Sequence, residues 1–147
     1  MFKKIAQLLG IQGTPEENFV SRRILIVDDN EMDLKLIQKT VEKIGHQALL
    51  AENGKIGYEV AKTEKPDLIL SDCLMPEMDG VDMCKLIKEN EETKDIPLIF
   101  LTNVDTPKNV VECFDMGVEN YICKPIRPKV LSAQIKIIFS ERFSNNV

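Results

Sequence analysis

Five polar residues stand at the far ends of apolar runs, where a buried strand has little use for them. Asp28 and Asp29 follow Ile24-Leu25-Ile26-Val27, and Asp72 follows Leu68-Ile69-Leu70-Ser71. Thr102 follows Leu98-Ile99-Phe100-Leu101, and Lys124 follows Asn120-Tyr121-Ile122-Cys123. Set side by side in parallel strands, they would bring three carboxylates, a hydroxyl and an ammonium to one small site. Crowded carboxylates repel each other, so they take up protons or hold a cation. Magnesium fits, because it accepts a few carboxylates, keeps several waters and then coordinates a phosphate. A lysine beside it neutralises further phosphoryl charge, and a hydroxyl donates to a phosphoryl oxygen. Such a set suits transfer of a phosphoryl group to a carboxylate, where positioning and charge neutralisation supply most of the catalysis.

The surrounding pattern predicts the elements that would hold these residues. The β-branched run at Ile24 is expected of a strand buried on both faces. Leu34, Ile37, Val41 and Ile44 follow at helical spacing, and Gly45 ends that helix as a C-cap glycine. Gln47 to Ala51 reads as a weaker strand, and Asn53-Gly54 as a turn before a helix running to about Thr63. The strand ending at Asp72 opens into the loop to Gly80, and a helix carrying Met83, Cys84, Leu86 and Ile87 follows. Pro97 opens the fourth strand, and Thr106-Pro107 the fourth helix, with Thr106 as N-cap. After Gly117 come the fifth strand, Asn120 to Cys123, and a last helix from about Arg127-Pro128 with Val130, Leu131, Ile135 and Ile138. Strands alternating with helices predict an α/β fold around a parallel sheet with right-handed crossovers. Ligands of such sheets sit beyond the carboxyl ends of the strands. The predicted organisation is an extension at residues 1–20, one compact unit at 21–142 and a tail at 143–147. Phe2, Ile5, Leu8 and Leu9 make the extension a short helix candidate, either a docking element or a terminus packed loosely on the domain.

A length of 147 residues fits one domain with one core. The formal net charge of -5 disfavours nucleic acid as a direct partner. No apolar run approaches a transmembrane length, and the first ten residues lack the cleavage site of a signal peptide. Cys73, Cys84, Cys113 and Cys123 form no Cys-x-x-Cys pair, and His46 is the one histidine. A zinc cluster and a disulfide framework are both disfavoured, and reduced thiols in a cytoplasmic protein are expected. His46 is expected at the surface or an edge, without a role.

Four segments together carry a resemblance: Ile24 to Asn30, Leu68 to Gly80 with its Met75-Pro76 and Met78-Asp79-Gly80, Leu101-Thr102, and Tyr121 to Pro125. Over about Arg22 to Ser140 they resemble the receiver domain of two-component response regulators, of the stand-alone, chemotaxis-receiver-like kind. The resemblance implies a flavodoxin-like, five-stranded doubly wound sheet in the order 2-1-3-4-5. It implies Asp72 as phosphoryl acceptor. It implies magnesium on Asp29 and Asp72, on Asp28 directly or through water, and on the backbone carbonyl of Leu74. Thr102 would bond a phosphoryl oxygen and swing toward the site, Tyr121 would change rotamer with it, and Lys124 would pair with the phosphoryl group. The Lys124-Pro125 bond is cis-capable, and a cis form would aim Lys124 inward. The family commonly has a small residue where Asn103 stands. Leu74 and Val104, two positions beyond the acceptor and the threonine, are apolar, so these three residues are expected to tune the lifetime of the phosphorylated state.

Plainer roles stand beside these. Asp28-Asp29 also suits a helix N-cap, Asp72 a turn, Tyr121 a core aromatic, and Met75, Met78 and Met83 packing. The expected function is a signalling receiver, not an enzyme beyond its own phosphotransfer and self-dephosphorylation. Its partners would be a histidine kinase or histidine phosphotransfer protein upstream and a target protein downstream, with no output domain after Glu141. The output face would be the fourth helix, fifth strand and last helix, with Val110, Val111, Phe114 and Tyr121. At least one of Ile137, Ile138 and Phe139 should face away from the core. A magnesium-dependent aspartyl phosphatase is the main rival, and it lacks an acid at Leu74. A flavin module lacks a phosphate loop after the first strand. A scaffold that is never phosphorylated would not need the acceptor, acidic pair and lysine.

Overall fold

The computed structural model describes residues 19–73, 75, 77–103, 115 and 117–143. The expectations for residues 1–18, Leu74, Val104, the helix from Thr106-Pro107 with Val110, Val111 and Phe114, and residues 144–147 lie outside the described residues. The strands are β1 (Arg23–Val27), β2 (Gln47–Ala51), β3 (Leu68–Asp72), β4 (Leu98–Thr102) and β5 (Asn120–Cys123). The helices are α1 (Glu31–Lys43), α2 (Gly54–Glu64), α3 (Gly80–Glu89) and α4 (Pro128–Phe143). All neighbouring strands are parallel, in the order β2-β1-β3-β4-β5.

Side chains alternate across a strand, and here both sides are apolar. Leu25, Val27, Ile69 and Phe100 pack with Met83, Cys84 and Ile87 of α3 and Ala61 of α2. Ile24, Ile26, Leu70, Ile99 and Leu101 pack with Ile37 and Val41 of α1 and Leu131 and Ile135 of α4. The continuous apolar runs are therefore those of strands covered on both faces. Asn30, Asn53 and Asp79 cap α1, α2 and α3, each side chain accepting a backbone N–H three residues on. Beyond α1, Gly45 takes a φ of +97°, the left-handed turn that a glycine C-cap permits. Of the three consecutive apolar residues in α4, Ile137 faces outward at 49% exposure and Ile138 is buried.

His46 departs from expectation. It is 8% exposed, not a surface residue. Its Nδ1 accepts the N–H of Arg22 at 2.9 Å, and its ring lies between Phe19 and Phe139, with centroids 5.1 and 5.0 Å away. The lead-in to β1 and the end of α4 close over it, which the local sequence around His46 does not announce. Burial and the Arg22 charge lower its pKa, against an opposing pull from Asp67.

Candidate functional site

The sheet register brings the polar strand ends together. Val27 pairs with Ser71, so Asp28 and Asp72 leave adjacent strands at one level. Asp72 pairs with Leu101, and Thr102 with Cys123, which puts Thr102 and Lys124 beside them. The Lys124 N–H donates to the Thr102 carbonyl at 2.7 Å, and the Lys124-Pro125 bond is cis.

The Lys124 side chain is 11% exposed and reaches back across the strand ends. Its Nζ lies 3.0 Å from Asp28 Oδ2, 2.9 Å from Asp33 Oδ2 and 3.2 Å from Asp72 Oδ2. An ammonium has three protons to donate, and this one has three carboxylates to receive them. Burial alone would lower the Lys124 pKa. The hydrogen bonds to Asp33 and Asp28 and the charges of Asp28 and Asp72 outweigh it and push the value well above the usual lysine range. Burial raises the Asp28 carboxyl, against the Asn30 N–H and Lys124, which favour its charge.

Asp28, Asp29 and Asp72 each turn one oxygen into a cluster whose atoms lie within 4.8 Å of one another. Three hard oxygen donors with an open side at exposed Asp29 fit a magnesium ion that keeps several waters. A soft-metal site is not the fit, because the nearest thiol, Cys73, is buried with its pKa pushed up to about 11. Burial dominates that shift, with the Thr102 hydroxyl opposing it. Thr102 is buried, and its Oγ1 donates to the Asn103 carbonyl at 3.2 Å. Tyr121 is 43% exposed on β5, so it is not a core aromatic. Met83 lies in the core and Met75 and Met78 pack against it, as packing residues.

Asp33 escaped the sequence reading, and Gly80 was read only as part of the Met78-Asp79-Gly80 motif. Asp33 lies in the first turn of α1 and meets Lys124. Its spacing of four from Ile37 and again from Val41 places it on the buried stripe of that helix, and an acid on such a stripe is a usable signal. Gly80 packs on the end of β3 at Asp72. Its N–H donates to the Cys73 carbonyl at 2.8 Å, while the Ser71 hydroxyl donates to the Asp72 carbonyl at 2.9 Å.

The family described as the response regulator receiver domain matches residues 24–136. The chain is 33% identical over 119 residues to the alkaline phosphatase synthesis transcriptional regulatory protein PhoP of Bacillus subtilis (strain 168), covering 81% of this chain and 49% of that protein. It is 36% identical over 118 residues to protein PilH of Pseudomonas aeruginosa, covering 80% of this chain and 98% of PilH. It thus spans about half the length of the former and nearly all of the latter. A crystal structure of the receiver domain of the sensor histidine kinase PA1611 of Pseudomonas aeruginosa PAO1 has a magnesium ion coordinated in its active-site cleft. It matches with a TM-score of 0.71 at 25% identity, over 83% of this chain and 97% of that one.

Proposed function

The chain belongs to the response regulator receiver family of two-component signalling, and from that premise we propose that it carries its signal as a phosphoryl group on Asp72. The donor would be a phosphorylated histidine of a kinase or phosphotransfer protein. The Asp72 carboxylate attacks phosphorus, a P–O bond forms, and the P–N bond breaks as the imidazole leaves. The observation that carries the reading is the ammonium of Lys124 at 3.2 Å from Asp72 Oδ2, within a cluster of acids from separate elements.

Asp28, Asp29 and Asp72 would hold magnesium, with the Leu74 carbonyl as the further protein ligand. The ion would supply positive charge to the phosphoryl oxygens. Lys124 would offset the charge that remains, and the Thr102 hydroxyl would turn from the Asn103 carbonyl to donate to a phosphoryl oxygen. Tyr121 would follow that movement. The target protein would be met on the face of β5 and α4, where Tyr121, Val130 and Ile137 are exposed. Operation in the cytoplasm suits a site built to receive phosphate from a kinase, and among the described residues no helix is long and apolar enough to cross a membrane. Leu74, Asn103 and Val104 would set the lifetime, since two apolar side chains offer no hydrogen bond to an attacking water. A Leu74→Asn, Val104→Glu double variant should lose phosphate faster after the donor is removed.

The test is intact mass after incubation with acetyl phosphate and magnesium. The protein should gain one hydroxylamine-labile phosphoryl group, and Asp72→Asn should gain none. A labile phosphate on the Asn variant at the rate of the natural protein would place the acceptor elsewhere.

A further inference from the structure

The shortest contact of the Lys124 ammonium is to Asp33, at 2.9 Å, and its longest of the three is to Asp72, at 3.2 Å. We infer that Asp33 is a positioning residue that competes with Asp72 for Lys124 and holds the lysine back until a phosphoryl group draws it over. The inference rests on Asp72 being the acceptor.

Asp33 comes from a helix rather than a strand end. The Asn30 side chain, accepting the Asp33 N–H at 3.0 Å, fixes the first turn of α1, and the stripe shared with Ile37 and Val41 aims the carboxylate toward the sheet. Its side chain is partly open to solvent while that of Asp28 is fully buried, so its charge needs no metal to be tolerated. Nor is Asp33 one of the three acids whose oxygens converge as a cation site. A divalent ion at that cluster therefore offsets Asp28, Asp29 and Asp72 and leaves Asp33 with its full hold on the lysine. Binding the ion weakens the rivals of Asp33 and strengthens its relative claim. When Asp72 becomes an acyl phosphate it gains charge and acceptor oxygens, and the ammonium has reason to leave Asp33. The work of breaking that contact then belongs to the cost of phosphorylation. Charge-assisted bonds are about twice as strong as neutral ones, so an amide at the same position keeps an acceptor oxygen but loosens the grip.

The experiment measures phosphorylation by acetyl phosphate at fixed magnesium in the natural protein, Asp33→Asn, Lys124→Met and the double variant. Asp33→Asn should be faster by about two- to fivefold, the scale of one partly exposed charge contact. In the Lys124→Met background, followed over a longer incubation, the same substitution should change nothing, because the residue acts through the lysine. Acceleration of equal size in both backgrounds would mean only that Asp33 repels the anionic donor, and would overturn the inference. So would an unchanged or slower rate in Asp33→Asn alone. A natural protein that takes up no phosphate fails at the acceptor, a distinct result, and removes the basis for Asp33 with it. Unfolding midpoints of the four proteins separate these rates from a change in folded fraction.

Discussion

A methyl group on Gly80 would lie 1.9 Å from the carbonyl oxygen of Asp72. The first turn of α3 is thus seated directly on the end of β3, with no room for any side chain between them. Gly80→Ala must push the helix off the strand, and overpacking of this kind costs about 1–3 kcal/mol. Urea unfolding should show that loss, together with slower phosphorylation as the acceptor shifts. An unchanged midpoint would mean the loop yields without strain.

Lys124→Ala removes the shared cation from three carboxylates. Among the described residues the buried Asp28 carboxylate then keeps the Asn30 N–H as its one hydrogen-bond donor. In chelator the variant should lose about 3–4 kcal/mol, the lower part of the range for an uncompensated buried charge. Magnesium should recover part of it, since saturation at a hundredfold over Kd contributes about 2.7 kcal/mol. Paired urea curves with chelator and with magnesium should show a larger metal effect in the variant than in the natural protein. Equal effects would argue that lysine and metal do not share one cluster.

Cys123 is exposed, whereas Cys73 and Cys84 are buried with thiols pushed up to about 11. At pH 8 only about one in a thousand of those buried thiols is ionised. Iodoacetamide labelling read by peptide mass should modify Cys123 before Cys73 and Cys84, which should stay intact in the folded protein. Early labelling of Cys73 would show that the loop beside the acceptor opens readily.

His46 is held neutral, its pKa below the usual value in the folded state. The unfolded chain then binds the proton more readily, so the contribution is complete above about pH 6.5 and is lost as pH falls from there toward the lowered value. With one histidine in the chain, ring proton shifts report it without ambiguity. The folded titration should fall below the unfolded one. His46→Gln should lose less stability than the natural protein between about pH 7 and pH 5. A folded midpoint at or above the unfolded value would contradict the closed aromatic box.

Asp72, the Asp28-Asp29 pair, Thr102 and Lys124 were readable as residues of one cluster because each ends a run of apolar residues, and one strand is enough to display that change. The same holds for Asn53 and Gly45, whose roles are set by the few residues around them. Asp33 was not read, Gly80 was read only as a motif residue and His46 only as a surface or edge residue, and the reason is common to all three. Asp33 is a site residue only because Lys124, far along the chain, arrives opposite it. Gly80 matters through its distance to Asp72, which depends on how the loop returns. His46 is buried by Phe19 and Phe139, neither of which is its neighbour in sequence. Local pattern shows where a strand ends, and only the assembled layers show what meets it there.

Asp28 and Lys124, which touch at 3.0 Å, are separated by 96 positions. Contacts of such long range form late, after the loop-closure entropy of the intervening chain has been overcome. A copy whose β5 has not yet docked therefore has an Asp72 with no Lys124 beside it, even where β1 and β3 already bring Asp28, Asp29 and Asp72 together. On the function proposed above, such a copy would respond poorly to a kinase until its sheet is complete. On that reading, competence to receive the signal would certify finished folding, and molecules damaged enough to lose β5 would drop silently out of the circuit.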